Sequence, residues 1–98
     1  MNQDKFKLQL DENGEGAFVL EENGARDAEM VVSINGSTMT VHHTEVSERL
    51  RGKGVAGELL NTMVQYARDH NLKVVPRCAF VHTAFQRHPD QYEDVWKR

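Results

Sequence analysis

The first half of the chain consists of short apolar runs separated by glycine-containing turns. Apolar and polar residues alternate over residues 6–10, which is the period of a strand with one face on a core. Further β-prone runs occupy residues 16–20, 28–34 and 37–46. The connections contain the pairs Asn13-Gly14, Asn23-Gly24 and Asn35-Gly36. Because Asn and Gly tolerate the positive φ angles of hairpin turns, the pattern predicts an antiparallel meander of four strands.

A long amphipathic segment follows the meander. From Val55 to about His70, apolar residues recur at spacings of three and four, which predicts a helix with one broad buried face. The apolar stripe comprises Val55, Leu59, Leu60, Met63, Val64 and Ala67. Asn71 is expected to end the helix, because Asn tolerates the left-handed conformation that often follows a helix.

The last quarter of the chain predicts one strand and short helical segments. Residues 74–81 are apolar with almost no alternation, which favours a strand buried on both faces. Pro76 must interrupt its pairing, since proline has no N–H to donate. Residues 83–88 and 90–95 can form short helices on either side of Pro89. A helix between the fourth and fifth strands allows these two strands to run parallel. The predicted fold class is α+β, in the order ββββαβα.

Composition narrows the class of protein. The 98 residues are enough for one core and predict a single domain over residues 1–98. A net charge of −3 argues against a general nucleic-acid binder. The single cysteine, Cys78, excludes an internal disulfide and a cysteine-only zinc site, and no metal site is predicted. No secretory leader or membrane-spanning run is apparent, so we expect a cytoplasmic protein with no membrane partner.

A glycine-rich loop, Arg51–Ala56, immediately precedes the long helix. Its two glycines, one residue apart, allow a tight turn in which backbone N–H groups converge where the helix begins. The helix start adds unpaired donors and partial positive charge, and Arg49, Arg51 and Lys53 add full charges. A phosphate or pyrophosphate fits such a site. The alternative is a solvent-exposed turn without a ligand.

Two common nucleotide motifs do not fit this loop. It differs from the GxxxxGK[ST] loop, because no Ser or Thr follows Lys53 and the first glycine of that motif is missing. It also differs from the dinucleotide fingerprint, because the preceding strand ends a hairpin series instead of opening a βαβ unit.

The sequence Arg51-Gly52-Lys53-Gly54-Val55-Ala56 resembles the Gln/Arg-x-x-Gly-x-Gly/Ala hallmark of the GCN5-related N-acetyltransferase superfamily. Three further segments, at 43–46, 74–78 and 88–92, resemble a very small bacterial group within it, related to a vertebrate N-acetyltransferase-domain protein. The resemblance extends from about residue 15 onward. Unlike larger members, this chain lacks helices between its first and second strands. Those helices usually form a wall of the acceptor site, so an open acceptor site or a large partner supplying that wall is expected.

The resemblance implies binding of acetyl-coenzyme A. The pyrophosphate would lie on the amides of residues 51–56, and the pantetheine arm would lie between the fourth and fifth strands, splayed apart by a bulge. The implied cofactor-binding residues are Val46, Arg51, Gly52, Lys53, Gly54, Val55, Ala56 and His88. The implied acceptor is an unidentified amine, on a protein or a small molecule.

Acetyl transfer needs a group that takes a proton from the amine. Glu45 is the candidate base, although it can also be a solvated residue beside the basic loop. His42 and His43 are expected on opposite faces of an extended strand. Of these two, His43 is the candidate facing the cleft. The alternative is that His43 is a hydrogen-bonded structural histidine. His88 and Tyr92 are weaker candidates as donors to the leaving thiolate.

Cys78 is the third catalytic candidate and is expected on the fifth strand. A thiolate there could carry the acetyl group, provided that a neighbour such as Arg77 stabilises it. The alternative is an inert buried cysteine.

The predicted function is acetyl-coenzyme A-dependent N-acetyl transfer. The alternatives are a coenzyme A-binding module without turnover, acting as a sensor or interaction partner, and a plain phosphate-binding domain.

Overall fold

A computed structural model describes residues 5–22 and 24–98 and contains one five-stranded sheet. The strands are β1 (Phe6–Leu10), β2 (Glu15–Glu22), β3 (Ala25–Asn35), β4 (Thr38–Val46) and β5 (Lys73–Pro76). They lie in the order β1-β2-β3-β4-β5. The helices are α1 (Val55–Asp69), α2 (Ala79–Arg87) and α3 (Pro89–Tyr92). None of the helices in the described part of the chain has the length and apolar character needed to cross a bilayer.

The predicted meander is confirmed. The pairs β1–β2, β2–β3 and β3–β4 are antiparallel, whereas β4 and β5 are parallel, as the intervening helix allows. Gly14 and Gly36 adopt positive φ angles of 80° and 60° in their turns. At the second turn, Gly24 also has a positive φ, but Asn23 lies outside the described residues.

The helix α1 covers one face of the sheet, here called the inner face. All six residues of the predicted apolar stripe are buried, so this prediction is confirmed. They pack in one cluster with Phe18, Met30 and Val41 from the strands and with Phe85 from α2. Asn71 has a φ of 56° just after the helix, as expected.

The predicted fifth strand is too long. The strand β5 ends at Pro76, and Ala79 already begins α2. Cys78, Val81 and Phe85 are the buried residues of this segment, at spacings of three and four, which is a helical period. In the sequence, the apolar run at 74–81 is too short for its periodicity to distinguish a strand from a helix. The helix ends at Arg87, just before Pro89, as expected, and Pro89 itself occupies the first turn of α3, a position that suits proline.

The face of the sheet opposite α1, here called the outer face, carries polar side chains. The Arg26 guanidinium donates to Gln9 Oε1 on β1 at 3.0 Å and to Glu29 Oε1 on β3 at 2.9 Å. It therefore crosses β2, where Ala17 and Val19 are buried but outside the core cluster. Only residues 11–14 connect β1 to β2, so there is no room for a helix. The Asp11 side chain accepts N–H groups of this tight turn.

The C-terminal segment is tied to the rest of the fold at two points. Trp96 forms a parallel bridge with Val74 beside β5. The Arg68 guanidinium of α1 donates to both carboxylate oxygens of Asp94, at 2.8 and 3.2 Å. These hydrogen bonds lower the pKa of Asp94 below its usual 3.8.

The Arg68–Asp94 pair predicts a pH-dependent contribution to stability. We expect Asp94→Asn to lower the free energy of unfolding by about 0.5–1 kcal/mol at pH 7, because exposed ion pairs stabilise only weakly. Since the pKa of Asp94 is depressed in the folded state, this contribution is present above about pH 3.8 and is lost as the pH falls through the folded pKa. Urea unfolding at several pH values measures it, with Asp90→Asn as control. A difference that persists in acid would contradict the assignment.

Candidate functional site

A β-bulge in β4 lies at the centre of the candidate site. Val31 of β3 pairs with His43, but the adjacent Val32 pairs with Val41. His42 is therefore an extra residue that has no partner on β3. Its insertion reverses which β4 side chains face the core. Before the bulge the odd-numbered Val41 is buried, and after it the even-numbered Thr44 faces inward.

The bulge places both histidines on the outer face, so their expected positions on opposite faces are wrong. His42 Nε2 lies 2.7 Å from Ser33 Oγ, and His43 Nε2 lies 3.9 Å from Glu29 Oε2. Ser33 and Glu29 are four residues apart on β3 and therefore point to the same face. Side chains of a regular strand alternate between the two faces with a period of two residues. The one extra residue at the bulge interrupts this alternation, so the two histidines share a face.

The bulge also coincides with the end of the β4–β5 pairing. The strand β5 pairs with residues Thr38 to Val41 only. The amides of Arg77 and Cys78 both donate to Val41 O at 3.0 Å, and the chain then turns into α2. Beyond Val41, β4 has no neighbouring strand on this edge within the described chain. The predicted interruption at Pro76 therefore produces a gap between the two strands.

Cys78 lies at the inner side of this gap. The sequence placed it on the fifth strand, and this prediction is wrong. It is the residue preceding α2, and it is buried. Its Sγ lies 3.3 Å from Thr44 Oγ1 on β4. Because Thr44 points inward, its neighbour Glu45 points outward. Two of the three candidate catalytic residues, Glu45 and Cys78, are therefore on opposite faces of the sheet, on either side of the gap.

Glu45 and His43 are brought together on the outer face. Glu45 pairs with Glu29 across the β3–β4 ladder. His43 lies two residues before Glu45 on β4 and therefore on the same face. The ligand atoms of these three side chains lie within 4.8 Å of one another. Glu45 and Glu29 also line an open cavity of ≈ 540 Å³, together with Arg26 and Arg51. An exposed carboxylate in such a cavity can accept a proton from an incoming group.

The glycine loop leads from the end of β4 into α1. A single 3₁₀ turn, Glu48–Leu50, is followed by the turn residues 51–54, in which Gly52 and Gly54 both have φ 80°. No side chain caps α1, whose N-cap is Gly54. A Cβ at either glycine would meet no atom within 4 Å. The glycines are therefore required by backbone conformation and not by crowding.

The loop presents several free amides to solvent. Arg51 N and Lys53 N donate to carbonyls of the preceding turn, at 3.2 Å each. The amides of Gly52, Gly54, Val55 and Ala56 have no backbone partner among the described residues. Arg51 and Lys53 are exposed beside them. Four free donors with two adjacent cations suit an anion, although two of the six amides that the sequence assigned to it are already used.

Arg49 does not contribute a free charge to the loop. Its guanidinium pairs with the buried carboxylate of Asp27 and, at 2.7 Å, with Glu22 Oε1. These side-chain hydrogen bonds, of which that to Asp27 is the stronger cause, raise the pKa of Arg49. In addition, Ser47 N donates to Asp27 O at 2.7 Å. Arg49 therefore attaches the start of the loop to β2 and β3.

A groove between α1 and α2 continues from the loop on the inner side. Its cavity measures ≈ 550 Å³ and is lined by Gly57 and Leu60 of α1 and by Phe80, Thr83 and Arg87 of α2. His88, predicted as a cofactor contact, also lines it. Phe80 is unusually accessible for its size, at 38% exposure. Thr83 and Arg87 were not among the predicted contacts, because no sequence motif indicates them and only the packing of α2 beside α1 places them in this groove.

Two other predicted residues are mainly structural in position. Tyr92 is buried, and its ring stacks on Phe85 at 4.8 Å between centroids, which favours packing over proton donation. Val46 is partly buried against the core cluster and also lines the cavity that contains Glu45.

Comparison with known proteins connects these features to a family. A family model described as GCN5-related N-acetyl-transferase matches residues 17–95. A GCN5-like protein of Staphylococcus aureus, whose solution structure was determined by NMR, is 31% identical. The two structures superpose with a TM-score of 0.65 over 95% of this chain and 89% of the other.

Two more distant structures share the fold. A ribosomal-protein-alanine N-acetyltransferase of Brucella melitensis is 18% identical, with a TM-score of 0.58 over 87% of this chain and 65% of its own. An aminoglycoside N-acetyltransferase in complex with coenzyme A is 13% identical, with a TM-score of 0.53 over 76% of this chain and 66% of its own.

The loop conformation predicts opposite effects of two glycine substitutions. Gly54→Ala should destabilise the fold by about 1 kcal/mol, because a Cβ is disfavoured at its φ of 80°. Gly57→Ala, three residues later in the first turn of α1, should stabilise it by about 0.5–1 kcal/mol, because alanine suits a helix better and the site is open. Thermal unfolding measures both. Equal effects of the two substitutions would show that Gly54 does not need its left-handed conformation.

Proposed function

Because the chain belongs to the GCN5-related N-acetyltransferase family, we propose that it transfers an acetyl group from acetyl-coenzyme A to a primary amine. One observation carries the proposal: the free amides of the glycine loop and the gap beside the bulge both lie at the end of β4. An anion held by the loop and a chemical group placed in the gap can therefore belong to one ligand.

The residues around the loop fit the chemistry of acetyl-coenzyme A. The free amides of Gly52, Gly54, Val55 and Ala56, with the side chains of Arg51 and Lys53, hold the pyrophosphate. The groove between α1 and α2 offers Phe80 as an apolar surface and Arg87 and His88 as polar contacts for the rest of the molecule. The edge of β4 beyond the bulge, including Val46, borders the thioester arm.

The acceptor amine approaches from the outer face. Glu45 and His43 lie on this face, and no helix intervenes between β1 and β2 to cover it. The amine nitrogen attacks the thioester carbonyl carbon through the gap, and Glu45 takes the amine proton directly or through water. The carbon–sulfur bond then breaks, and coenzyme A leaves as the thiolate, which takes a proton from water, while Glu45 returns its proton to solvent. An open outer face suits an acceptor on a protein, whose own surface completes the missing wall.

Cys78 defines a second route to the same products. Its sulfur would attack the thioester carbon, release coenzyme A as the thiol and hold the acetyl group until the amine displaces it. The position of Sγ beside the gap supports this route, whereas its burial and its separation from Glu45 by the sheet favour direct transfer. Intact-mass analysis after incubation with acetyl-coenzyme A distinguishes the two. A gain of one acetyl group that Cys78→Ala abolishes would establish the covalent route.

Calorimetric titration with acetyl-coenzyme A tests the donor site. We expect saturable binding that the double variant Arg51→Ala/Lys53→Ala weakens by about 10–100-fold, because two charge-assisted contacts are lost. Raising the ionic strength should also weaken binding, since both cations are exposed. The control Lys7→Ala/Arg98→Ala removes the same charge elsewhere.

Two outcomes of this titration would contradict the proposal. Absence of binding at millimolar ligand would remove the donor site altogether. Equal weakening in the control would show a general charge effect and not a loop site.

A separate assay tests transfer to a panel of peptides and small-molecule amines. Binding of acetyl-coenzyme A without transfer to any of these amines would favour the coenzyme A-binding module.

Substitution of the proposed base tests the chemistry. With the best acceptor from the panel, Glu45→Gln should lower kcat by about 10²–10⁴-fold, because the proton acceptor is removed. Affinity for acetyl-coenzyme A should be unchanged, since Glu45 lies on the outer face. Glu48→Gln, an exposed glutamate in the neighbouring 3₁₀ turn, serves as the matched control. Full activity of Glu45→Gln would exclude this residue as the base.

A further inference from the structure

The β3–β4 ladder places two carboxylates directly opposite each other on the outer face. Glu29 and Glu45 are Cα partners in the register, and like charges in this position destabilise a sheet. Arg26 neutralises only one side of the pair, through Glu29 Oε1 at 2.9 Å. The second oxygen, Glu29 Oε2, points toward His43 Nε2 at 3.9 Å. The site would therefore gain from a bound cation.

The donor atoms of this cluster suit a transition metal. Glu29, His43 and Glu45 each offer one ligand atom, and these atoms lie within 4.8 Å of one another. Ligand atoms about 2.0–2.2 Å from one zinc ion lie about 3.4 Å apart in a tetrahedron. The side chain of His43 is 56% exposed, so small rotamer changes are enough to close the difference. One imidazole with two carboxylates suits Zn²⁺ and Ni²⁺ better than Mg²⁺.

From this geometry we infer that Glu29, His43 and Glu45 form a binding site for a divalent transition-metal ion on the outer face. The bulge at His42 creates the site, because it turns His43 and Glu45 together onto the outer face, which carries Glu29. Water completes the coordination, since Glu29 and Glu45 line an open cavity and the His43 side chain is exposed. The three residues are separated by up to 16 positions in the sequence, and no short spacing motif indicates them.

The inference rests on the proposed function only for its effect on catalysis. A metal ion on Glu45 occupies the lone pair that would accept the amine proton. Bound metal should therefore inhibit transfer competitively with the acceptor amine and not with acetyl-coenzyme A. Metal binding itself is measured on the protein without substrates, so failure of the catalytic proposal leaves the binding test intact.

Titration with Zn²⁺ or Ni²⁺, followed by calorimetry, tests the site. We expect one ion per chain with a micromolar Kd, weakened by about tenfold or more in His43→Ala and in Glu45→Gln. His82→Gln removes an exposed histidine of α2 and should leave the affinity within about twofold. Mg²⁺ at millimolar concentration should not compete.

Two results would overturn the site. One is the absence of saturable binding below millimolar Zn²⁺ and Ni²⁺. The other is an affinity that His43→Ala and Glu45→Gln leave unchanged while His82→Gln reduces it, which would place the ion elsewhere. Far-ultraviolet circular dichroism and thermal unfolding of each variant confirm that the fold is retained; because the replaced side chains are exposed, we expect all three variants to fold.

Discussion

The extra residue at His42 is the constraint on which the candidate site depends. It follows Val41, where the pairing with β5 ends at Pro76 and the sheet opens at its last junction. It also exchanges the inward and outward positions of β4, which turns Thr44 toward Cys78 and Glu45 toward the outer face. A single insertion beside the gap therefore determines which chemical groups lie on its two sides.

The glycine loop works with this gap only because it is held in place. Asp27 is the buried charged residue among the described positions, and it binds the Arg49 side chain and the Ser47 amide. The charge of Arg49 is thus used to position the loop, and Arg51 and Lys53 remain for an anionic ligand. Free amides at the start of α1 then point to a fixed place beside the end of β4.

The short β1–β2 connection determines what surrounds the outer face. A tight turn replaces any covering element there, and the Arg26 guanidinium spans three strands in its place. The result is a polar, accessible surface around Glu45. In the proposed reaction, donor and acceptor approach from different sides of the sheet. The acceptor side is the one left for a partner or a metal ion to complete.

Local patterning was sufficient for the meander, for α1 and its apolar stripe, and for the position of the glycine loop, because each depends on neighbours a few residues apart. It failed for residues 79–81, where a short apolar run has the same appearance in a strand and a helix. It also failed for His42 and Arg49. A bulge is specified by pairing with β3, and an ion pair is specified by Asp27, 22 positions away. Glu29, His43 and Glu45 likewise meet only through the register of the sheet, so folding alone brings them together.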